Sequence, residues 1–103
     1  MKIVWTQPAR QDLRDIFTYI AEDNPKAART LLNEIKERAV LLQDNPLIGR
    51  LGRIEETREL VLTGTHFILP YRVKDQQIQI LAVLHGVKQW PESFTAIAIN
   101  DRS

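Results

Sequence analysis

Apolar residues change period once along this chain, from a helical spacing in the first half to a two-residue alternation in the second. Leu13, Ile16, Phe17 and Ile20 recur at i, i+3, i+4 and i+7, predicting an amphipathic helix from about residue 8 to 22. Ala28, Leu31, Ile35, Ala39 and Leu42 form a second stripe that runs to about Asp44. Each helix begins with the same grammar. Thr6 and Asn24 are oxygen-bearing caps, and Pro8 and Pro25 follow inside the first turn, where a missing N–H does no harm. The break between the stripes, at Asp23-Asn24, is so short that the helices must fold back as an antiparallel hairpin. Asn45-Pro46 ends the second helix, and the stretch from Leu47 to Thr57, with Gly49 and Gly52, has neither period and reads as a surface loop.

Three strand-like runs follow, Arg58–Leu62, Phe67–Val73 and Ile78–His85, joined by hairpin-length turns at Thr63-Gly64-Thr65 and Lys74-Asp75-Gln76-Gln77. Lys2–Trp5 is a fourth short β-prone run, with Trp5 expected in the core. The predicted architecture is α+β: an N-terminal antiparallel helix hairpin packed on one face of a four-stranded, mainly antiparallel sheet. Residues 1–91 make one domain, and residues 92–103 form a weakly apolar tail. Pro70 lacks a ladder donor, which places it at a bulge or facing an edge.

Strand parity then raises a question of cover. In the last strand Ile78, Ile80, Ala82 and Leu84 share one face, and Gln79, Leu81, Val83 and His85 share the other. The hairpin takes the face with Phe67, Leu69 and Tyr71, leaving Val61, Ile68, Leu81 and Val83 on a side with no helix. Either a partner docks there, or the Gly49/Gly52 loop or the tail folds over it.

Composition narrows the chemistry. There is no cysteine, so disulfides and thiolate catalysis are excluded. Two histidines 19 positions apart match no metal-ligand spacing, and neither metal nor cofactor is expected. The absence of a long apolar run leads to the expectation of a cytoplasmic protein. Net charge is +1, from 14 basic and 13 acidic side chains, so the broad basic footprint of a nucleic-acid binder is missing. Any phosphate contact needs a local cluster, for which Arg50, Arg53, Arg58, Arg72 and Lys88 are candidates, with Glu55, Glu56 and Glu59 among them as competing partners. His85 is the residue suited to acid–base work at neutral pH, or alternatively to a hydrogen-bonded structural role. Trp90 has three readings: stacking on a base, filling a partner's pocket or plugging the core.

Taken together, the helix hairpin, the loop Asn45-Pro46 with Gly49-Arg50, the run Arg58-Glu59-Leu60, Tyr71-Arg72-Val73, Ile80-Leu81 with Val83-Leu84-His85, and Trp90-Pro91 resemble the RelE/ParE superfamily of type II toxin–antitoxin toxins. The resemblance covers about residues 2–91. It implies a growth-arresting toxin bound by a cognate antitoxin in a hetero-oligomer, with the antitoxin covering the face of Val61, Ile68, Leu81 and Val83. RelE-type members are ribosome-dependent mRNA endonucleases that use basic side chains on these strands, and ParE-type members poison DNA gyrase. An ungapped overlay puts Glu59, Val61 and Ile68 where the RelE-type pattern carries catalytic basic residues, and only Lys88 falls on a basic position. The resemblance therefore leans to the ParE-like branch, with Arg50, Arg53, Arg72 and Trp90 as target or phosphate contacts. In the ribonuclease alternative His85 and Lys88 are catalytic. A non-toxic interaction protein of the same fold is the third reading.

Overall fold

A computed structural model of the chain describes residues 1–86. Strand β1 (Lys2–Trp5) leads through Thr6 into helix α1 (Gln7–Ala21), and α2 (Pro25–Val40) runs into a short 3₁₀ turn at Leu41–Gln43. The strands β2 (Arg50–Leu51), β3 (Arg58–Val61), β4 (Phe67–Lys74), β5 (Gln77–Ile80) and β6 (Leu84–His85) follow. They form a six-stranded sheet in the order β1-β5-β4-β3-β2, with β6 also paired to β4. Every pairing is antiparallel except that of β1 with β5. The expected layout of hairpin and sheet is present, but among the described residues the sheet has six strands where four were expected. The expectations placed on Lys88, Trp90 and residues 92–103 lie outside the described residues.

Both helix caps form as their residue types require. The Thr6 hydroxyl accepts from Ala9 N–H at 3.4 Å and donates to the Ile80 carbonyl at 2.7 Å, tying the start of α1 to the end of β5. Asn24 Oδ1 accepts from Ala27 N–H at 3.0 Å. Between hairpin and sheet, Ala9, Leu13, Ile35, Ala39 and Leu42 pack against Leu69, Tyr71, Ile78 and Ile80 in one buried cluster, and Trp5 is half-buried against it.

Two departures from the expected strands shape the functional surface. The stretch expected as a loop contains β2, whose two residues are too few to show a period. It pairs with β3 so that Arg50 lies opposite Glu59. The run expected as a single strand from Ile78 to His85 is broken. Pro70 explains the break. Its carbonyl accepts from Leu81 N–H at 2.8 Å, so the side of Pro70 that would carry an N–H faces the same neighbour, where the ladder stops and resumes only at Leu84. The interruption reverses the parity beyond it. Val83 joins the helix-side core, and His85 pairs with Phe67 on that same side, while Leu84 pairs with Ile68 on the rear.

The rear face is accordingly less open than regular alternation predicts. Val61 is 45% exposed and Leu81 is half-buried, but Ile68 is only 4% and Val83 only 5% exposed. Gly86 lies directly against Ile68, so close that a Cβ there would sit 2.4 Å from Ile68 Cγ1. The turn 52–57 lies over Pro70, Leu81 and Ala82, enclosing a cavity of about 70 Å³. The expectation of four uncovered apolar side chains is thus corrected: Val83 belongs to the helix-side core, and Ile68 is buried beneath Gly86.

Tyr71 fixes the loop that precedes β2. Its phenol is fully buried, accepts from Gly49 N–H at 2.9 Å and donates to the Pro46 carbonyl at 2.8 Å. Gly49 is required for that approach, because a Cβ would lie 2.7 Å from the phenol oxygen. Arg58 supports the same loop by donating to the Gly49 carbonyl at 2.9 Å. Tyr71→Phe leaves the Gly49 N–H buried without its acceptor and is expected to lower unfolding stability by about 1–3 kcal/mol in urea titration. The β4–β5 turn offers the opposite test. Asp75 and Gln76 are held at φ of 54° and 58°, the left-handed conformation of a two-residue hairpin turn that favours glycine. Gln76→Gly is expected to raise stability by about 0.5–1 kcal/mol, read as a higher urea midpoint at unchanged slope.

Candidate functional site

The β6 end of the sheet and the two helices enclose a groove of about 650 Å³, lined by apolar residues of both layers, among them Ile16, Leu31, Phe67, Val83 and Leu84. His85 enters it from the sheet and His66 from the β3–β4 turn. Their rings stack with centroids 5.5 Å apart and planes inclined by 20°. The Phe67 ring meets His85 edge-on at 5.4 Å. His66 was not singled out from sequence, because only the register of β6 on β4 brings two residues 19 apart to one place. Asp12, Asp15 and Glu34 add carboxylates at this groove, with Glu34 held by Arg38 at 3.1 Å.

Asp12 has a structural task that sequence reasoning missed. Where the ladder is broken, the Val83 N–H lacks a strand partner, and it donates to Asp12 Oδ2 at 2.9 Å. Burial pushes the Asp12 carboxyl above the ordinary range; the Val83 hydrogen bond opposes this, and the nearby Asp15 charge adds to it. The available signal was a charged residue one helical turn before Ile16, on the edge of the buried stripe.

The expected cationic cluster is divided. By register, Arg50, Glu59, Pro70, Arg72 and Gln79 share the rear face, whereas Arg58 faces the helix side opposite Tyr71. Arg50 Nε donates to Glu59 Oε1 at 2.9 Å, and this carboxylate is only 4% exposed. Arg72 Nε donates to Gln79 Oε1 at 2.5 Å. Arg53 lines the small cavity beside Glu59. Arg50, Arg53 and Arg72 thus belong to the rear of the molecule, and His85 faces the helices. The sheet separates the two groups. Among the described residues no three His, Asp or Glu side chains are grouped to hold a metal ion, and no helix is long and apolar enough to cross a membrane.

A helix hairpin laid on a mostly antiparallel sheet, with a groove at the helix–sheet junction and cations on the reverse face, places the molecule among the small α+β toxins of the superfamily it resembles. Comparison with known proteins makes the assignment specific. The profile described as "ParE toxin of type II toxin-antitoxin system, parDE" matches residues 3–90, and the chain belongs to this family. It is 41% identical over 91 residues to "Putative toxin Y4kP" of Sinorhizobium fredii, covering 88% of this chain and 94% of that one. It is 32% identical over 87 residues to Toxin RelE2 of Caulobacter vibrioides, covering 84% and 97%. A solved structure described as a chromosomal ParDE TA system from P. aeruginosa matches with a TM-score of 0.75 at 32% identity, covering 81% of this chain and 92% of that one.

Asp12 gives the site a pH signature. Because its pKa is raised in the folded state, that state holds the proton more tightly than the unfolded chain does. The resulting contribution to stability is present below the ordinary carboxylate range and is lost as pH rises through the folded pKa. Asp12→Asn keeps an acceptor for Val83 N–H without the charge. The variant is expected to gain stability relative to wild type as pH rises from acid to neutral, with the difference closing again in acid, measured by urea unfolding across pH.

Proposed function

We propose that this chain is the growth-arresting component of a toxin–antitoxin pair, restrained by a protein encoded beside it, and that its target is DNA gyrase. The antitoxin half of the reading is supported by family membership and by likeness to a structure described as a ParDE system. Val61 and Leu81 are the accessible members of the rear-face set assigned to that partner, with Ile68 beneath them, while Val83 lies on the helix side.

The gyrase half rests chiefly on the separation of the acid–base group from the cations. Cleavage of an RNA backbone needs a proton-transfer group within hydrogen-bond reach of the ribose 2′-hydroxyl and cations on the same phosphate. Here His85 is on the helix side, and Arg50, Arg53 and Arg72 are on the rear. Arg50 is further committed to Glu59. A gyrase-binding protein needs no such convergence. Arg72 on the rear face, together with Lys88 and Trp90, supplies the proposed contacts. One observation favours the ribonuclease reading as the second choice: His66 and His85 stack in a groove, and paired imidazoles can serve as acid and base.

Expression of the chain without its partner is expected to arrest growth, and the purified protein to inhibit gyrase supercoiling while leaving translation in extract intact. His85→Ala should retain both effects, and Arg72→Glu should lose inhibition by about ten-fold or more if a charged contact at the interface is reversed. Cleavage of ribosome-bound mRNA that disappears in His85→Ala would replace gyrase with the nuclease reading. Harmless expression would leave an interaction protein of the same fold.

A further inference from the structure

Strand β2 is one edge of the sheet, paired with β3 on one side only among the described residues. Gly52 N–H donates to the Thr57 carbonyl at 2.8 Å, which continues the register of Arg50 on Glu59 and Leu51 on Arg58. Antiparallel ladders alternate, so positions 50 and 52 spend their peptide groups on β3, and Leu51 turns its N–H and C=O away from the sheet. Natural edges guard such groups with an outward charge, a proline or a covering loop. Here Leu51 is 77% exposed, and Arg50, the one charge on the strand, is held back by Glu59 of β3.

The loop before β2 extends this apolar edge. Leu47 and Ile48 are 64% and 57% exposed. Their segment is fixed through Gly49, whose N–H donates to the Tyr71 phenol and whose carbonyl accepts from Arg58. Three aliphatic side chains are thus presented on a braced stretch of chain, beside one open pair of main-chain groups. Such a surface needs little ordering on association, and another strand matches it.

We infer that a second copy of this chain fills this place, β2 pairing antiparallel with β2 of the copy about a two-fold axis at Leu51. The strand is self-complementary there. Each Leu51 N–H meets the Leu51 carbonyl of the other copy, so one symmetry operation satisfies both open groups on each edge. Pairing about position 51 sets 50 across from 52. Each Arg50 therefore lies opposite a Gly52, which offers neither bulk nor like charge. A net charge of +1 leaves little repulsion between copies. The contact is small, so the dimer is weak, with a dissociation constant of about 10–100 μM. The two sheets become one, and the rear faces carrying Arg50 and Arg72 lie side by side on the same surface. This pairing goes beyond the proposed function and does not depend on it.

The purified full chain is taken through sedimentation velocity from about 1 to 500 μM, a span that brackets the expected constant. Its mean mass is expected to rise from one chain toward two. Leu51→Lys, at an exposed position, should keep the urea midpoint and raise the dissociation constant by about ten-fold or more, because two lysines then face each other across the axis. A cysteine trap locates the contact. The chain has no cysteine, and hydrogen-bonded antiparallel partners sit about 5.5 Å apart at Cα, within disulfide reach. Leu51→Cys is expected to cross-link into a dimer on mild oxidation, whereas Tyr19→Cys, equally exposed on α1, stays single. A dimer untouched by Leu51→Lys, or cross-linking that is equal at the two positions, overturns the inference. A chain that remains monomeric throughout also overturns it, and if Leu51→Lys then fails to bind the adjacent gene product, the edge belongs to that partner.

Discussion

A single missing hydrogen on Pro70 organises much of this molecule. In an antiparallel sheet successive residues of a strand bond to alternate neighbours, and Pro70, in the middle of β4, has no N–H to give the neighbour it faces. The chain opposite it leaves the ladder after Leu81 and returns at Leu84. The detour shifts parity, carries His85 to the helix side and orphans the Val83 N–H, which Asp12 then takes up from α1. The groove with the two histidines, the raised carboxyl of Asp12 and the separation of imidazole from arginines all descend from that one interruption.

The layout of the molecule was readable wherever the determinants are local. Thr6-Gln7-Pro8 and Asn24-Pro25 announce their helices because cap and proline act within one turn, and the change of period marks the passage from helices to sheet. Turn positions were readable for the same reason. What escaped was non-local or very short. Strand β2 has two residues and no pattern of its own. The face of Val83 and His85 depends on how a break is bridged across strands, and a proline marks the place of a break without stating how many residues leave the ladder. A one-residue error in such a count moves every later side chain to the other face. The His66–His85 stack and the Arg50–Glu59 pair are products of register, invisible until strands are aligned.

Charge is distributed with the same economy. The net value of +1 conceals a groove bordered by Asp12, Asp15 and Glu34, and a rear face where a buried Glu59 engages one arginine and Gln79 another. A bulk electrostatic argument from composition sees only cancellation. The same side chains sorted by helix angle and strand parity define surfaces of opposite preference, which is the information a wrapping partner can use.

The parallel pairing of β1 with β5 has a consequence for how the chain comes into being. The first strand emerges from the ribosome early, yet its ladder partners, Gln77–Ile80, and the Thr6 bonds to Ile80 lie more than seventy residues downstream. The helix hairpin can form on its own contacts, but the sheet cannot be finished until nearly all of the domain has been synthesised. Until that moment the growing chain lacks a completed sheet face to present to any target.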